Sequence, residues 1–325
     1  MKNLVVAASP HIQDGSKTRR IMLDVIIALM PALLAAIIFF GPRVLLLTAS
    51  TVLAAVLAEL ISRKAMKRDT KSIFDLTAVI TGLLLALSLP VTMPLWMAAI
   101  GSAVAIIVVK EFFGGVGQNF VNPALVGRVV LMFSYPIATN ASWTPPFAYL
   151  GASTSQNILG VDSITSATPL ALMAEGESPG RLLDLFLGIH AGSMGETSIL
   201  ALLIGGLYLV YRRVISPVIP LTFIGTTILL VTLFGQNPID HLFTGSLIFV
   251  AIFMATDYAT SPINLKGKII FAFGCGFITA IIRLFGILPE GVSFAVLIMN
   301  ILVPHIETLT LPKPFGYEKK GGKKL

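Results

Sequence analysis

Three short strings carry side chains whose types and spacing suit chemistry better than packing. The first is Asp162-Ser163-Ile164-Thr165-Ser166-Ala167-Thr168. Its terminal hydroxyl, flanked by the small Ser166 and Ala167, is an acceptor that a modifying enzyme and its cargo can approach closely. Asp162 suits recognition or metal contact during such a transfer. A plain Ser/Thr turn is the alternative reading. The second string is Gly114-Gly115-Val116-Gly117-Gln118-Asn119-Phe120-Val121-Asn122-Pro123-Ala124. Glycines and asparagines at membrane depth give irregular backbone, tolerated only against protein or a cavity. Such a wall suits a flat aromatic ligand or an ion path; a tight reversal with asparagine caps is the alternative. No soluble strand precedes it, so it is no dinucleotide or phosphate-loop fingerprint. The third string runs from Met254 to Asn264 and contains Asp257, Tyr258 and Pro262. Asp257 reads either as an interfacial ion pair with Lys266 and Lys268 or as a neighbour of a cation route.

Further charges fall inside apolar stretches: Asp24, Glu59, Glu111, Arg128 and Glu307, the last near His305. A charge at mid-helix costs about 2.5–3.5 kcal/mol on insertion scales, so an intramembrane charge reads as functional by default. Most of these lie near span ends, where snorkelling is cheap. Glu59 precedes Arg63 by one helical turn, which suits a pair along one face. Asp24 has a plainer alternative, in which it only faces the loop. Together with Asp257, Glu59 and Asp24 are the candidates for an ion path.

The elements that must position these residues are membrane helices. The 325 residues are 55% apolar and 12% charged, with a mean hydropathy of +0.89. A soluble domain carries about a quarter charged residues, and a disordered chain is charged and apolar-poor. Both classes are excluded. The net charge of +7 comes from short basic clusters between apolar runs, a pattern of membrane loops and not of a nucleic-acid footprint. Cys275 is the only cysteine, which leaves no internal disulfide and no Fe–S ligand set.

About 20 apolar residues span a bilayer. Ten stretches qualify as expected spans: 22–40, 44–61, 75–92, 94–112, 124–139, 197–213, 217–234, 242–257, 269–286 and 291–309. The first has no small-residue cleavage site after it and reads as a retained helix, not a signal peptide. An even count puts both termini on one side. That side collects every basic residue except Arg43, Arg181 and Arg283, so the termini are expected in the cytoplasm. The expected organisation is a cytoplasmic N-terminus (1–21), a five-helix half (22–139), an outer loop (140–196), a second five-helix half (197–309) and a basic cytoplasmic tail (310–325). Five spans on each side of the loop would invert the second half relative to the first, a common transporter plan. The sequence trace of a repeat is thin: Asp75, Thr81-Gly82 and Pro90 in the third span, Asp240, Thr244-Gly245 and Pro262 around the eighth.

The first string resembles the flavinylation motif D-x-x-[S/T]-[G/S]-A-T, in which the last threonine is joined to the phosphate of FMN. The three strings together, in this order, resemble the D component of the Rnf electron-transport complexes (ion-translocating ferredoxin:NAD⁺ oxidoreductases). That family is shared with the B component of the sodium-pumping NADH:quinone oxidoreductase. The resemblance covers nearly the whole chain. Ser166 stands where the family usually has glycine, and Tyr258 where it often has proline. The short stretch before the first span favours the Rnf branch.

The resemblance implies covalent FMN on Thr168, with Asp162, Thr165, Ser166 and Ala167 as the rest of the motif. It implies a second, noncovalent riboflavin near Gly117, Asn119 and Asn122. It also implies coupling of electron transfer to Na⁺ or H⁺ movement, and a fold similar to urea and ammonium transporters with two inverted five-helix repeats. The implied partners are the other proteins of the complex, including a second FMN-carrying subunit and Fe–S membrane subunits, and a flavin transferase on the outer face. The implied location is the inner membrane of a bacterium or archaeon. The B component of the quinone reductase, a flavin-free solute channel and a structural scaffold are the alternatives.

Overall fold

A computed structural model describes residues 18–140, 143–150, 167–286 and 291–311. Among them the chain is all-helical. The first half holds α1 (Thr18–Phe40), α2 (Arg43–Ala65), α3 (Thr77–Leu87), α4 (Leu95–Val104), α5 (Pro123–Ser134) and α6 (Pro136–Asn140). Two short helices follow, α7 (Pro169–Ala174) and α8 (Leu182–Leu187). The remainder is α9 (Ile199–Tyr211), α10 (Val218–Leu233), α11 (Pro238–Phe243), α12 (Leu247–Phe253), α13 (Leu265–Phe285) and α14 (Val292–Thr310).

The expectation of ten spanning helices in two inverted five-helix repeats is corrected. Among the described residues four helices are long and apolar enough to cross a membrane: α1, α2, α13 and α14. No five-plus-five repeat is evident among them. The other apolar stretches are shorter or broken. Stretch 75–92 opens with a 3₁₀ turn, reverses at Leu76 (φ +65°) and yields only the 11 residues of α3. Stretch 242–257 breaks at Gly245 (φ +67°) and leaves the seven residues of α12. Stretch 124–139 is interrupted at Tyr135, before Pro136, because proline disfavours helical backbone in the residue ahead of it. Hydropathy counts apolar side chains and is blind to such breaks. Broken backbone survives at this depth only where protein surrounds it. That is the case here, since every residue of α12 and nearly all of α3 are buried.

Packing follows from small residues. A Cβ on Gly82 of α3 would lie 2.7 Å from the Cα of Val52 on α2, and one on Gly276 of α13 would lie 2.7 Å from the carbonyl of Phe223 on α10. These pairs approach backbone to backbone, as membrane helices do through small side chains. Ser102 of α4 adds a 2.7 Å hydrogen bond to the carbonyl of Thr51 on α2. Leu85, Leu87, Met93, Phe223, Phe249 and Phe271 fill the centre. Leu53, Ile61, Leu207 and Leu229 are among the large apolar side chains left on the outside.

The molecule has two distinct ends. The start of α1, the end of α2, the starts of α5 and α13 and the end of α14 lie at one, with most of the described basic residues. At the other, Arg43 donates to the carbonyls of Val91 (2.8 Å) and Thr92 (3.0 Å), and Arg283 caps the turn after α11.

Candidate functional site

At the basic end a cavity of about 550 Å³ opens between the start of α1, α3, the start of α5 and the loop after α12. The second and third strings meet on its wall. Val116, Gly117, Asn119 and Asn122 come from one, and Thr256 and Asp257 from the other. Asn122 makes this junction. Its Oδ1 accepts from the amides of Ala124 (3.0 Å) and Leu125 (3.3 Å), so it caps α5, with Pro123 at the first helical position; both are preferred at a helix start. Its Nδ2 donates to the carbonyl of Met254 at 3.1 Å. The string thus makes a reversal and also lines the cavity. Gly114, Gly115 and Gly117 adopt φ of +125°, +104° and +82° to make the turn, and Gly117 also faces the cavity.

Asn300 on α14 completes the junction, and it is not among the residues that the sequence singles out. Its Oδ1 accepts from the Asn122 amide (3.4 Å) and its Nδ2 donates to the Thr260 carbonyl (2.8 Å). Its one sequence signal is that of a lone asparagine in an otherwise apolar run. Asp257 lies in the loop between α12 and α13, where its Oδ2 accepts from Thr260 at 3.2 Å. Burial raises its carboxyl above the ordinary value, opposed by hydrogen bonds from Thr260, Asn119 and the local backbone. Among the described residues it forms no ion pair with Lys266 or Lys268.

Beside the cavity lies a buried ion cluster. Residues Ala105–Glu111 form a π-helical turn that continues α4. It turns Lys110 and Glu111 toward α2. The Lys110 ammonium, on the cavity wall, donates to Glu59 (2.9 Å) and to Thr77 (2.7 Å). Arg63 reaches Glu111 at 3.3 Å and Glu59 at 3.5 Å. The helical pair Glu59–Arg63 thus exists, but the shorter partner of Glu59 comes from another element. Glu59 and Glu111 are fully buried, and one oxygen of each lacks a hydrogen bond among the described residues. Asp24 does not face a loop. It accepts from Tyr208 (2.8 Å) and Arg212 (3.2 Å), tying α1 to α9, and is not on the cavity wall.

Thr168 lies at the opposite end, two residues before Leu170, which meets Gly245 and Arg283 near the last turn of α13; the 21 residues of α13 extend about 31 Å from the cavity end at 1.5 Å per residue. Asp162, Thr165 and Ser166 fall outside the described residues. Thr168 caps α7, its Oγ1 accepting from the Ala171 amide at 3.2 Å. Ala167 is exposed, Thr168 half-exposed, and Pro169 and Leu170 are buried. The residue therefore keeps partial exposure while the helix behind it is anchored.

Two histidines at this end lie outside the spanning helices. Burial and the Arg283 guanidinium push His241 down from 6.5 to about 4, and burial lowers His190 as well. An unfolded histidine takes up its proton below about 6.5, whereas folded His241 resists protonation until about 4. The stability it contributes is complete above 6.5 and is lost as pH falls across that window. The melting temperature is expected to drop between pH 6.5 and about 4, and the drop to shrink in His241→Gln. Identical pH profiles for the two proteins would contradict this assignment.

All-helical over its described residues, with four long apolar helices among them and apolar side chains on its outside, the chain is an integral membrane protein. It belongs to the NQR2, RnfD, RnfE family, whose sequence profile matches residues 5–316. The chain is 45% identical over 321 residues to the D component of the Na(+)-translocating ferredoxin:NAD(+) oxidoreductase complex of Acetobacterium woodii, covering 98% of this chain and 96% of that one. It is 40% identical to the D component of the proton-translocating ferredoxin:NAD(+) oxidoreductase complex of Clostridium ljungdahlii, with 97% of each covered. It is 37% identical to the D component of the ion-translocating oxidoreductase complex of Actinobacillus succinogenes, covering 97% of this chain and 99% of that one.

Proposed function

We propose that this chain is a membrane subunit of an Rnf-type ion-translocating ferredoxin:NAD⁺ oxidoreductase complex. It carries FMN through the Thr168 hydroxyl at one end and holds a second flavin, riboflavin, in the cavity at the other. The observation that carries this reading is the division of labour between the ends: two of the three strings build one cavity, and the third presents a hydroxyl far from it. Family membership and the names of the relatives support the same assignment.

The residues fit these groups. Ligand sites of about 300–1,000 Å³, mainly apolar with a few placed polar groups, hold molecules of flavin size, and the cavity of about 550 Å³ lies in that range. Asn119 and Asn122 offer amides, Thr81 and Thr256 offer hydroxyls, and Ile80, Leu84 and Phe253 supply apolar surface. When bound, the flavins supply the electron-carrying chemistry; the protein orients them and sets their electrostatics. Asp257 is the cation or proton contact that lines the cavity, and Glu59 stands one ammonium away from it, behind Lys110. Asp24 is committed to Tyr208 and Arg212 and serves the fold.

The grouping of basic residues at the cavity end supports a cytoplasmic location for that end. Thr168 and the 140–196 connection then face outward, where a flavin transferase and the redox partners of the complex meet them. Two measurements test the reading. The intact mass of the purified chain should exceed its amino-acid sum by one phosphoester-linked FMN, and acid should release an unmodified flavin. Asn122→Ala, which removes the direct side-chain bond from Asn122 to Met254, should lose the released flavin and keep the covalent one. A colourless chain with the unmodified mass would overturn the reading.

A further inference from the structure

We infer that Arg283 is a positioning residue for the flavin carried on Thr168: it holds the seat on which the threonine's helix rests. This deepens the attachment reading above and depends on it. Arg283 lies in the last turn of α13. Its guanidinium spans two carbonyls of the α11–α12 connection, that of His241 at 2.6 Å and that of Thr244 at 3.0 Å. Thr244 in turn directs its hydroxyl to the Asp240 carbonyl (2.7 Å) and lies 3.7 Å from the sulfur of Met173 on α7.

Gly245, the next residue, is where α7 and Arg283 converge. Its φ is +67°, and a Cβ there would lie 2.9 Å from Nη2 of Arg283 and 3.1 Å from Cδ2 of Leu170. Leu170 is 5% exposed and follows Thr168 by two positions. An isolated helix of six residues is not stable in water, so α7 takes its orientation from what it leans on. It leans on the Thr244–Gly245 turn, and Arg283 fixes that turn. A rigid fork suits two fixed carbonyls better than a lysine ammonium on a flexible stem.

The test uses the full chain with its native flavin, with Thr168→Ala as the fluorescence blank. Intact mass reports attachment; fluorescence anisotropy and acrylamide quenching report how firmly the attached flavin is held. Arg283→Gln is expected to keep the flavin mass, lower the anisotropy and raise the quenching. Arg283→Lys, which keeps the charge and loses the fork, should fall between Gln and wild type. Leu170→Ala should reproduce the loss of anisotropy with Arg283 intact, and it decides the question if Arg283→Gln does not accumulate. Wild-type anisotropy and quenching in flavinylated Arg283→Gln and Leu170→Ala would overturn the positioning role and leave the attachment reading standing. A wild-type chain without flavin mass would overturn both.

Discussion

Thr168→Ala is expected to abolish covalent flavin: the chain loses the whole FMN increment in mass, and in-gel flavin fluorescence disappears. The loss is complete because an ester needs the Oγ1 oxygen and alanine has none. Loss of the fold does not explain it away. The same oxygen caps α7 through the Ala171 amide, and removing a cap of this kind costs about 1 kcal/mol. That cost falls on a six-residue helix that Leu170 and Met173 still hold against the Thr244–Gly245 turn. The variant should therefore accumulate, insert and retain the flavin released by acid, while electron transfer through the assembled complex falls to background. Thr168→Ser keeps an acceptor hydroxyl and should restore part of the mass increment. An unchanged flavin signal in Thr168→Ala would place the attachment elsewhere.

The second large effect is expected at Lys110. Lys110→Met removes the cation nearest to Glu59, at 2.9 Å, and leaves that fully buried carboxylate with Arg63, at 3.5 Å, as its remaining cation among the described residues. Breaking a buried ion pair from one side costs about 3–5 kcal/mol, whereas replacing both partners by groups of similar size is often neutral. The melting temperature of Lys110→Met should fall well below that of wild type. Adding Glu59→Gln should recover most of the difference, although Arg63 and Glu111 then carry the remaining pair. Additive losses in the double variant would show that the two side chains do not act as a pair.

Family membership is legible in the sequence because it resides in three contiguous strings, each readable without knowledge of the fold. Their meeting points are less so. That the Gly114–Ala124 and Met254–Asn264 strings share one wall depends on Asn122 reaching Met254 and on Asn300 binding both strings, bonds that span large sequence separations. The partnership of Glu59 with Lys110 is hidden for the same reason, while its local partner Arg63 follows from helical spacing. Asp257 with Lys266 and Lys268 shows the reverse case, since proximity in sequence suggests a pair that does not form. The count of spans fails on backbone geometry. Nothing in hydropathy distinguishes a continuous helix from one that reverses at Leu76 or Gly245.

The seven-residue π turn at Ala105–Glu111 sets angular phase. Such wide turns usually amount to a surplus residue within an α-helix, often at functional sites. Each residue of an α-helix advances the side-chain direction by about 100°. Shortening this turn by one apolar residue would leave composition almost untouched, yet it would swing Lys110 and Glu111 out of line with Glu59 and Arg63. The arrangement of charge at this end is thus governed by residue count along a single helix. Relatives that differ there by one insertion or deletion would carry the same residues pointed elsewhere.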